Sequence, residues 1–373
     1  MKPLFVLTLF LFSSLVYSQS VRPSTEQVAK HIQYLASDKM KGRGTGSKEN
    51  KKAAQYIVKQ YKRLGLSPLG TDGFLQPFTA KVRRVAVPDS IRTASNVIGF
   101  LDNGAAYTIV IGAHYDHLGE GRQGSLRDAN AVGQIHNGAD DNASGIAGLL
   151  EVARRLAPKA ATLHRDVYLI GFSGEEMGIL GSQHFVKHTP YAGAPVAMLN
   201  MDMIGRLRDN TVQVLGAESA AEWGTLMPPV CAGQRVACQL AGSGYGPSDH
   251  MSFYSAGAPV VHFFTGSHLD YHRVTDDTPL INAAGVAQVA AVVADTALAL
   301  DQAPALTYKK VAAPPAIGDV PMRGASLGTI PGYGDDGKIP GVLISDVVPG
   351  GPAAKAGLQK GDRIVKIGVT DVR

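Results

Sequence analysis

Residues 108–119, TIVIGAHYDHLG, decide the fold of this chain, because an apolar β-prone run leads straight into polar side chains. A short, wholly apolar run is typical of a strand that is buried on both faces of a sheet. Similar runs lie at 167–172, 196–203 and 260–264, and helical patterns over 144–156, 178–188 and 281–300 separate them. Strands that alternate with helices predict an α/β fold, with a mixed, largely parallel central sheet sandwiched by helices.

Two helices are predicted before the sheet begins. Ser24 and Ser47 are good helix caps, and apolar residues recur at helical spacing after each of them. The second of these helices should end at Gly65, since glycine is common just past a helix end.

The composition is that of an ordinary globular protein, with 45% hydrophobic and 18% charged residues. The formal net charge of +5 is spread along the chain, so we expect no nucleic-acid partner.

The first 18 residues predict a secretory signal peptide. Lys2 precedes an apolar run over 3–17, and the small residue Ser18 offers a cleavage point. We expect cleavage near Ser18 and export to the periplasm or the medium, with a signal anchor as the alternative. No cysteine directly follows the run, so no lipid anchor is expected, and the run is short for a membrane span, so no stable membrane anchor is expected either.

Export bears on the two cysteines of the chain, Cys231 and Cys238. In an oxidising compartment they can form a disulfide that closes a small loop, and two buried thiols are the alternative. Neither cysteine has a metal-ligand pattern around it.

Five metal-binding side chains lie at or just beyond the ends of apolar, strand-like runs. They are His114, Asp141, Glu176, Asp202 and His272. Because the carboxyl ends of parallel strands meet at one edge of a sheet, these side chains can converge there. Two imidazoles and three carboxylates without a thiolate suit borderline divalent metals, and their number suits two ions.

Two further carboxylates turn such a metal site into a hydrolase. Adjacent residues cannot both point at one metal, so in the pair Glu175–Glu176 one ligates and the other serves as general base. Asp116, two residues after His114 on an extended segment, should face the same side and orient the imidazole.

These motifs carry a resemblance. HYDHLG, GADDNASG, GEEMGILGS, NMDMIGR, SDH and YH…DD, in this order, resemble the M28 family of zinc aminopeptidases. The resemblance implies two zinc ions bridged by Asp141, which precedes Asn142 through a cis peptide. His114 and Asp202 would hold one ion, and Glu176 and His272 the other.

The resemblance also implies roles for the remaining site residues. Glu175 would be the general base and Asp116 the partner of the ligand His114. Tyr245 would stabilise the oxyanion, with Tyr271 as the competitor for that role. Asp249 would lie near a histidine ligand. Eight further histidines are predicted to be structural, because a single histidine after a strand usually is: His117, His136, His164, His184, His188, His250, His262 and His268.

Composition changes after Gln302, where a proline-rich segment predicts a linker over 303–321. Residues 322–373 resemble a PDZ domain, a small β-rich unit, with Ser326, Leu327 and Gly328 in the peptide-binding loop. Such a unit would bind the C-terminus of a peptide as an added strand. A complete PDZ unit has a further helix and strand after Val372, so the resemblance covers part of one; a generic β module is the alternative.

Together these features predict a signal peptide at 1–18, a peptidase domain at 19–302, the linker and a partial PDZ unit. The predicted function is that of an exported di-zinc aminopeptidase acting on peptides, through a metal-bridging hydroxide and the Glu175 base. A carboxypeptidase, a glutaminyl-cyclase-like enzyme with one zinc, and a non-catalytic peptide-binding module are the alternatives. Cobalt or manganese could occupy the same ligands.

Overall fold

The predicted strands at 108–113 and 167–172 lie side by side in the middle of one large sheet. The computed structural model describes residues 22–82, 90–123, 131–189, 195–311, 327–332, 339–368 and 370–371. The predicted signal peptide, residues 312–321 of the predicted linker, and Ser326 lie outside the described residues.

The main sheet has nine strands, which hydrogen-bond in the order β1-β3-β5-β4-β6-β9-β7-β8, with β2 also paired to β3. Their bounds are β1 Ser67–Pro68, β2 Leu75–Val82, β3 Ser90–Leu101, β4 Thr108–His114, β5 Asp166–Phe172, β6 Ala197–Met201, β7 Thr211–Leu215, β8 Ala237–Ala241 and β9 Val260–Phe264. The centre, β5-β4-β6-β9, is parallel, as is the pair β7-β8. The pairs of β3 with β1, β2 and β5 and the pair β7-β9 are antiparallel, so the sheet is mixed.

Helices cover both faces of this sheet. Their bounds are α1 Thr25–Leu35, α2 Lys48–Arg63, α3 Gly145–Leu156, α4 Leu180–Lys187, α5 Trp223–Gly233, α6 His250–Ser255 and α7 Ala283–Gln302. Ser24 and Ser47 cap α1 and α2 by accepting hydrogen bonds from backbone N–H groups three residues ahead, as the sequence predicts.

Alternating side chains of the central strands supply a core on each side of the sheet. In β4, Ile109 and Ile111 belong to the larger core, which includes residues of α1, α3 and α7, whereas Val110 belongs to the opposite core. Phe185 of α4 and Phe253 of α6 fill that second core. Because both faces are covered, the central strands read as continuous apolar runs, and the predicted sandwich is confirmed.

The strand β8 and the helix α5 were not predicted, and the two cysteines connect them. Cys231 in α5 and Cys238 in β8 form a disulfide, which selects the bonded state over two free thiols.

The helix α7 is long and apolar enough to cross a membrane by length and composition alone. However, 67% of its most apolar window is buried inside the protein, as in the core helix of a globular domain. The segment that follows it packs on the domain: Tyr308 Oη donates to Tyr254 O at 2.9 Å, and Lys309 N donates to Ser219 O at 2.7 Å.

The C-terminal unit forms small antiparallel sheets. It contains β10 Thr329–Pro331, β11 Val342–Val347, α8 Pro352–Lys355, β12 Arg363–Ile364, β13 Lys366–Ile367 and β14 Thr370–Asp371. In the loop before β10, Leu327 O and Gly328 O accept hydrogen bonds from Ala353 N and Val348 N, both at 2.8 Å. The loop is thereby attached to the start of α8.

Candidate metal centre and active site

The sheet delivers the predicted ligands to its carboxyl edge. His114 is the last residue of β4, Asp202 directly follows β6, and Glu176 follows β5. His272 lies in the loop after β9, and Asp141 lies in an irregular turn over Ala139–Ser144 that enters α3. The peptide between Asp141 and Asn142 is cis, as the family resemblance implies.

The first group of donors joins the ends of β4 and β6. His114 Nε2 lies 3.3 Å from Asp141 Oδ1 and 3.2 Å from Asp202 Oδ1. The other oxygen of this carboxylate, Asp202 Oδ2, accepts a 2.8 Å hydrogen bond from the hydroxyl of Ser248. The three side chains are buried and close enough together to hold one metal ion.

The second group contains one residue more than predicted. His272 Nε2 lies 3.1 Å from Asp141 Oδ2 and 3.2 Å from Glu176 Oε2. His117 Nδ1 lies 2.7 Å from Glu176 Oε1 and 3.8 Å from Asp141 Oδ2. His117 is fully buried, and it is one of the histidines predicted above to be structural. The sequence feature that could have identified His117 is its position three residues after His114, in HYDH.

The donor spacing fits a pair of zinc ions. Donors about 2.0–2.1 Å from a tetrahedral zinc are about 3.3 Å from one another. The four distances from His114 and His272 to the carboxylates are 3.1–3.3 Å. The two oxygens of Asp141 face different groups, Oδ1 towards His114 and Oδ2 towards His272, which is the arrangement of a bridging carboxylate.

The crowding of charged groups changes their ionisation. Burial opposes the charge of Glu176 most strongly, but the imidazoles of His272 and His117 together outweigh it and lower the pKa of Glu176 to about 2. Burial raises the pKa of Glu175 well above its usual value; His114 opposes this rise, whereas the carboxylates of Asp202 and Glu176 add to it. The two adjacent glutamates therefore have distinct environments.

Asp116 connects His114 to the Glu175 segment. His114 Nδ1 lies 3.2 Å from the main-chain oxygen of Asp116 and 3.7 Å from its Oδ1. The carboxylate accepts hydrogen bonds from Glu175 N at 3.2 Å and from Thr45 Oγ1 at 2.7 Å. Asp116 thus lies beside the ligand, where the sequence placed it, and also fixes the backbone of Glu175.

A hydrogen-bond network that the sequence pattern does not predict holds the turn of Asp141. The carboxylate of Asp276 accepts hydrogen bonds from the backbone N–H groups of Asp140 and Asp141 at 2.9–3.1 Å. Arg206 lies 3.3 Å from Asp276, and His268 Nε2 lies 3.0 Å from Asp140 Oδ2. Asp140 of GADD and Asp276 of TDD therefore stabilise one local structure, the turn that carries Asp141.

Arg43, in the glycine-rich turn KGRGTGS, joins the segments that carry the ligands. Its guanidinium is completely buried and donates to the carbonyls of Leu35, Tyr115, Asn137 and Gly138. Burial lowers the pKa of Arg43 to about 10, and it stays charged at neutral pH.

The remaining predicted residues lie around this centre. The ring of Tyr271 stacks on His272 with 3.8 Å between centroids, whereas Tyr245 packs edge-on against Tyr254 at 4.9 Å. Asp249 is fully buried; burial raises its pKa to about 7, although His114 acts in the opposite direction. Which tyrosine contacts the reacting group stays a prediction.

Two parts of the chain match known protein families. Residues 96–297 match the model of peptidase family M28, and residues 343–373 match that of a PDZ domain. The probable leucine aminopeptidase of Trichophyton verrucosum is 29% identical over 198 residues, covering 52% of this chain and 48% of that protein. Aminopeptidase YwaD of Bacillus subtilis is 31% identical over 141 residues, covering 35% and 29%. The chain spans about half or less of the length of these curated relatives.

Solved structures share the fold at low identity. An aminopeptidase from Aneurinibacillus has a TM-score of 0.59 at 17% identity, with 78% of this chain and 97% of that chain covered. A glutaminyl cyclase from Porphyromonas gingivalis has the same TM-score at 19% identity, with 74% and 97% covered. Since the family model spans more than half of the chain, this protein belongs to peptidase family M28.

Proposed function

We propose that this protein is an exported di-zinc aminopeptidase that removes N-terminal residues from peptides. The observation that carries the proposal is the bridging arrangement of Asp141, whose two oxygens face two separate histidine–carboxylate groups. His114 and Asp202 would hold one ion with Asp141, and Glu176 and His272 the other. The chain keeps all five donors together with Glu175, which argues for catalysis rather than passive peptide binding.

The residues around the metals would divide the work of hydrolysis. When bound, the ions would polarise the scissile carbonyl and acidify a water molecule. Glu175 would accept the proton of that water and pass it to the leaving amine. Asp116 would keep Glu175 in place through the hydrogen bond from the Glu175 backbone N–H. Tyr245 or Tyr271 would donate a hydrogen bond to the developing oxyanion.

The rest of the chain would bring peptides and enzyme together outside the cytoplasm. We propose that residues 1–18 direct export and that 19–302 form the peptidase domain. Residues 303–321 would link it to the PDZ unit at 322–373, whose loop with Ser326, Leu327 and Gly328 would bind the C-terminus of a peptide.

The test measures metal content and peptide hydrolysis on one preparation. Purified protein should contain two zinc ions per chain and release the N-terminal residue from aminoacyl p-nitroanilides until a chelator removes the metal. Glu175→Gln should keep both ions and lose about 10²–10⁴-fold in kcat, because only the proton acceptor is removed. The exposed Glu218→Gln serves as the matched control and should behave as wild type.

A substrate panel separates the alternatives. Cleavage of N-acylated peptides from the C-terminus would identify a carboxypeptidase, and cyclisation of N-terminal glutamine with one bound zinc would identify a cyclase. Full activity of Glu175→Gln would refute the assigned mechanism.

A further inference from the structure

His117 lies in the second donor group without belonging to the five expected ligands. It is fully buried, and its Nδ1 is 2.7 Å from Glu176 Oε1. Its other ring nitrogen, Nε2, has no hydrogen-bond partner among the described residues. A histidine kept for structure alone normally has its buried polar atoms paired. The polar contacts of this imidazole are instead directed at Glu176, with Asp141 next.

The surrounding backbone gives this imidazole a fixed slot. The His117 N–H donates to Arg43 O at 3.4 Å, and the segment forms a bridge with Gly44. On the other side lies Gly138, with φ of +57°. A Cβ on Gly138 would lie 2.4 Å from Cδ2 of His117, so the ring fits only because that residue is glycine.

His117 is grouped closely enough with Asp141 and Glu176 to share a metal ion with them, but the individual distances favour a hydrogen-bond donor over a metal ligand. Two ligands on one tetrahedral zinc are about 3.3 Å apart, a spacing that His272 has to Asp141 and Glu176, at 3.1 and 3.2 Å. His117 departs from it in both directions, with 2.7 Å to Glu176 and 3.8 Å to Asp141. A separation of 2.7 Å is that of a charge-assisted N–H···O hydrogen bond.

In the first donor group the carboxylate is held in the same way, but the hydrogen-bond donor is a serine. Asp202 turns Oδ1 towards His114, while its Oδ2 accepts a hydrogen bond from Ser248. Glu176 turns Oε2 towards His272, while its Oε1 faces His117. In each group one carboxylate oxygen is left for a metal, and the other is held by a donor, which prevents the carboxylate from turning.

We propose that His117 is a positioning residue for the second metal site, donating from Nδ1–H to Glu176 Oε1 so that only Oε2 is available to the ion. This inference rests on the proposed di-metal function. Without the donor, Glu176 would be free to rotate or to bind through both oxygens. Loss of a hydrogen-bond partner of this kind typically weakens metal binding about 10–100-fold.

The test replaces His117 with residues that keep or lose a donor at the Nδ1 position. An asparagine amide can place its NH₂ near the position of Nδ1, a glutamine amide places it near that of Nε2, and alanine has none. Metal-depleted protein is titrated with Zn²⁺ by calorimetry and with Co²⁺ by visible absorption, so that the two sites are resolved without an activity assay. His136→Asn, a change at a buried histidine outside both donor groups, is the matched control.

We expect His117→Ala and His117→Gln to weaken one of the two sites about 10–100-fold and to leave the other unchanged. His117→Asn and the control should bind both ions as wild type does. Equal weakening in His117→Asn and His117→Ala would overturn the proposal in favour of direct ligation. Wild-type affinity in His117→Ala would also overturn it, while leaving the di-metal function intact.

Absence of metal binding by the wild-type protein is a distinct outcome, since it would refute the proposed function and this inference together. If His117→Ala does not fold, as judged by circular dichroism, the comparison of His117→Asn with His117→Gln still distinguishes a hydrogen-bond donor from a direct metal ligand.

Discussion

Arg43→Met should lower the free energy of unfolding by about 4–6 kcal/mol. Arg43 donates to four main-chain carbonyls, three of them at 2.7–2.9 Å, and no part of its side chain is exposed. A hydrogen bond from a charged donor contributes about 1.5–3 kcal/mol net, and a buried carbonyl that loses its donor keeps its desolvation penalty. At the lower figure the four bonds together contribute about 6 kcal/mol, and the expected range extends down to about 4 kcal/mol because water entering the vacated space would satisfy some of the carbonyls.

Urea denaturation and thermal unfolding, followed by circular dichroism, measure this effect. A loss of 4 kcal/mol corresponds to a fall of about 7 °C in Tm for the predicted domain 19–302, because the unfolding entropy is about 2.1 cal/mol/K per residue. Arg63→Met, at an exposed position in the last turn of α2, should stay within about 0.5 kcal/mol of wild type. Arg43→Lys should fall between the two, since an ammonium cannot reach all four carbonyls.

The effect should extend to the metal centre. Two of the four carbonyls belong to Tyr115 and Gly138, which flank the segments carrying His114 and Asp141. Arg43→Lys is therefore expected to weaken zinc binding as well as stability. A loss below 1 kcal/mol in Arg43→Met would refute the reasoning, because it would mean that the four carbonyls find other partners at little cost.

Three further predictions test separate contacts. Gly138→Ala should lower the free energy of unfolding by more than about 2 kcal/mol and weaken zinc binding, because the residue has φ of +57° and the new Cβ would lie 2.2 Å from Asp141 O. A urea denaturation curve identical to that of the wild type would contradict this prediction. Ser248→Ala should reduce the affinity for one metal ion about 10–100-fold without changing the fold, because Asp202 Oδ2 loses its 2.8 Å hydrogen bond from the serine hydroxyl. Titration with Co²⁺ measures both affinities, and two unchanged affinities would disprove the prediction. Replacing Cys231 and Cys238 together by serine should lower the unfolding free energy by about 2–3 kcal/mol, as expected for a loop of this length, and an unchanged denaturation midpoint would argue against it.

The sheet and the strand-borne ligands could be predicted because one physical cause produces both signals. A parallel strand covered on both faces must be apolar along its length, so β4, β5, β6 and β9 stand out in the sequence. Their carboxyl ends share one edge, which gathers the residues that follow. The signal is weaker where a strand is half exposed, as in β8, and where a helix contains Pro228 and Pro229, as α5 does. Those elements were missed for this reason.

The position of His117 could not be predicted from the periodicity of a strand. Alternation along an extended segment places Asp116 on the side of His114 and sends His117 to the opposite side. However, β4 ends at His114; Tyr115 N–H still donates to Phe172 O of β5, but at His117 the backbone pairs with Arg43 and Gly44 instead of a neighbouring strand. The slot for the imidazole is formed by Gly138, 21 residues further along the chain, and its acceptor is Glu176, after the next strand. Periodicity predicts the direction of a side chain only as long as the repeating hydrogen bonds of the strand continue. The side chains that adjust a metal site lie just past that point, and contacts between distant loops place them.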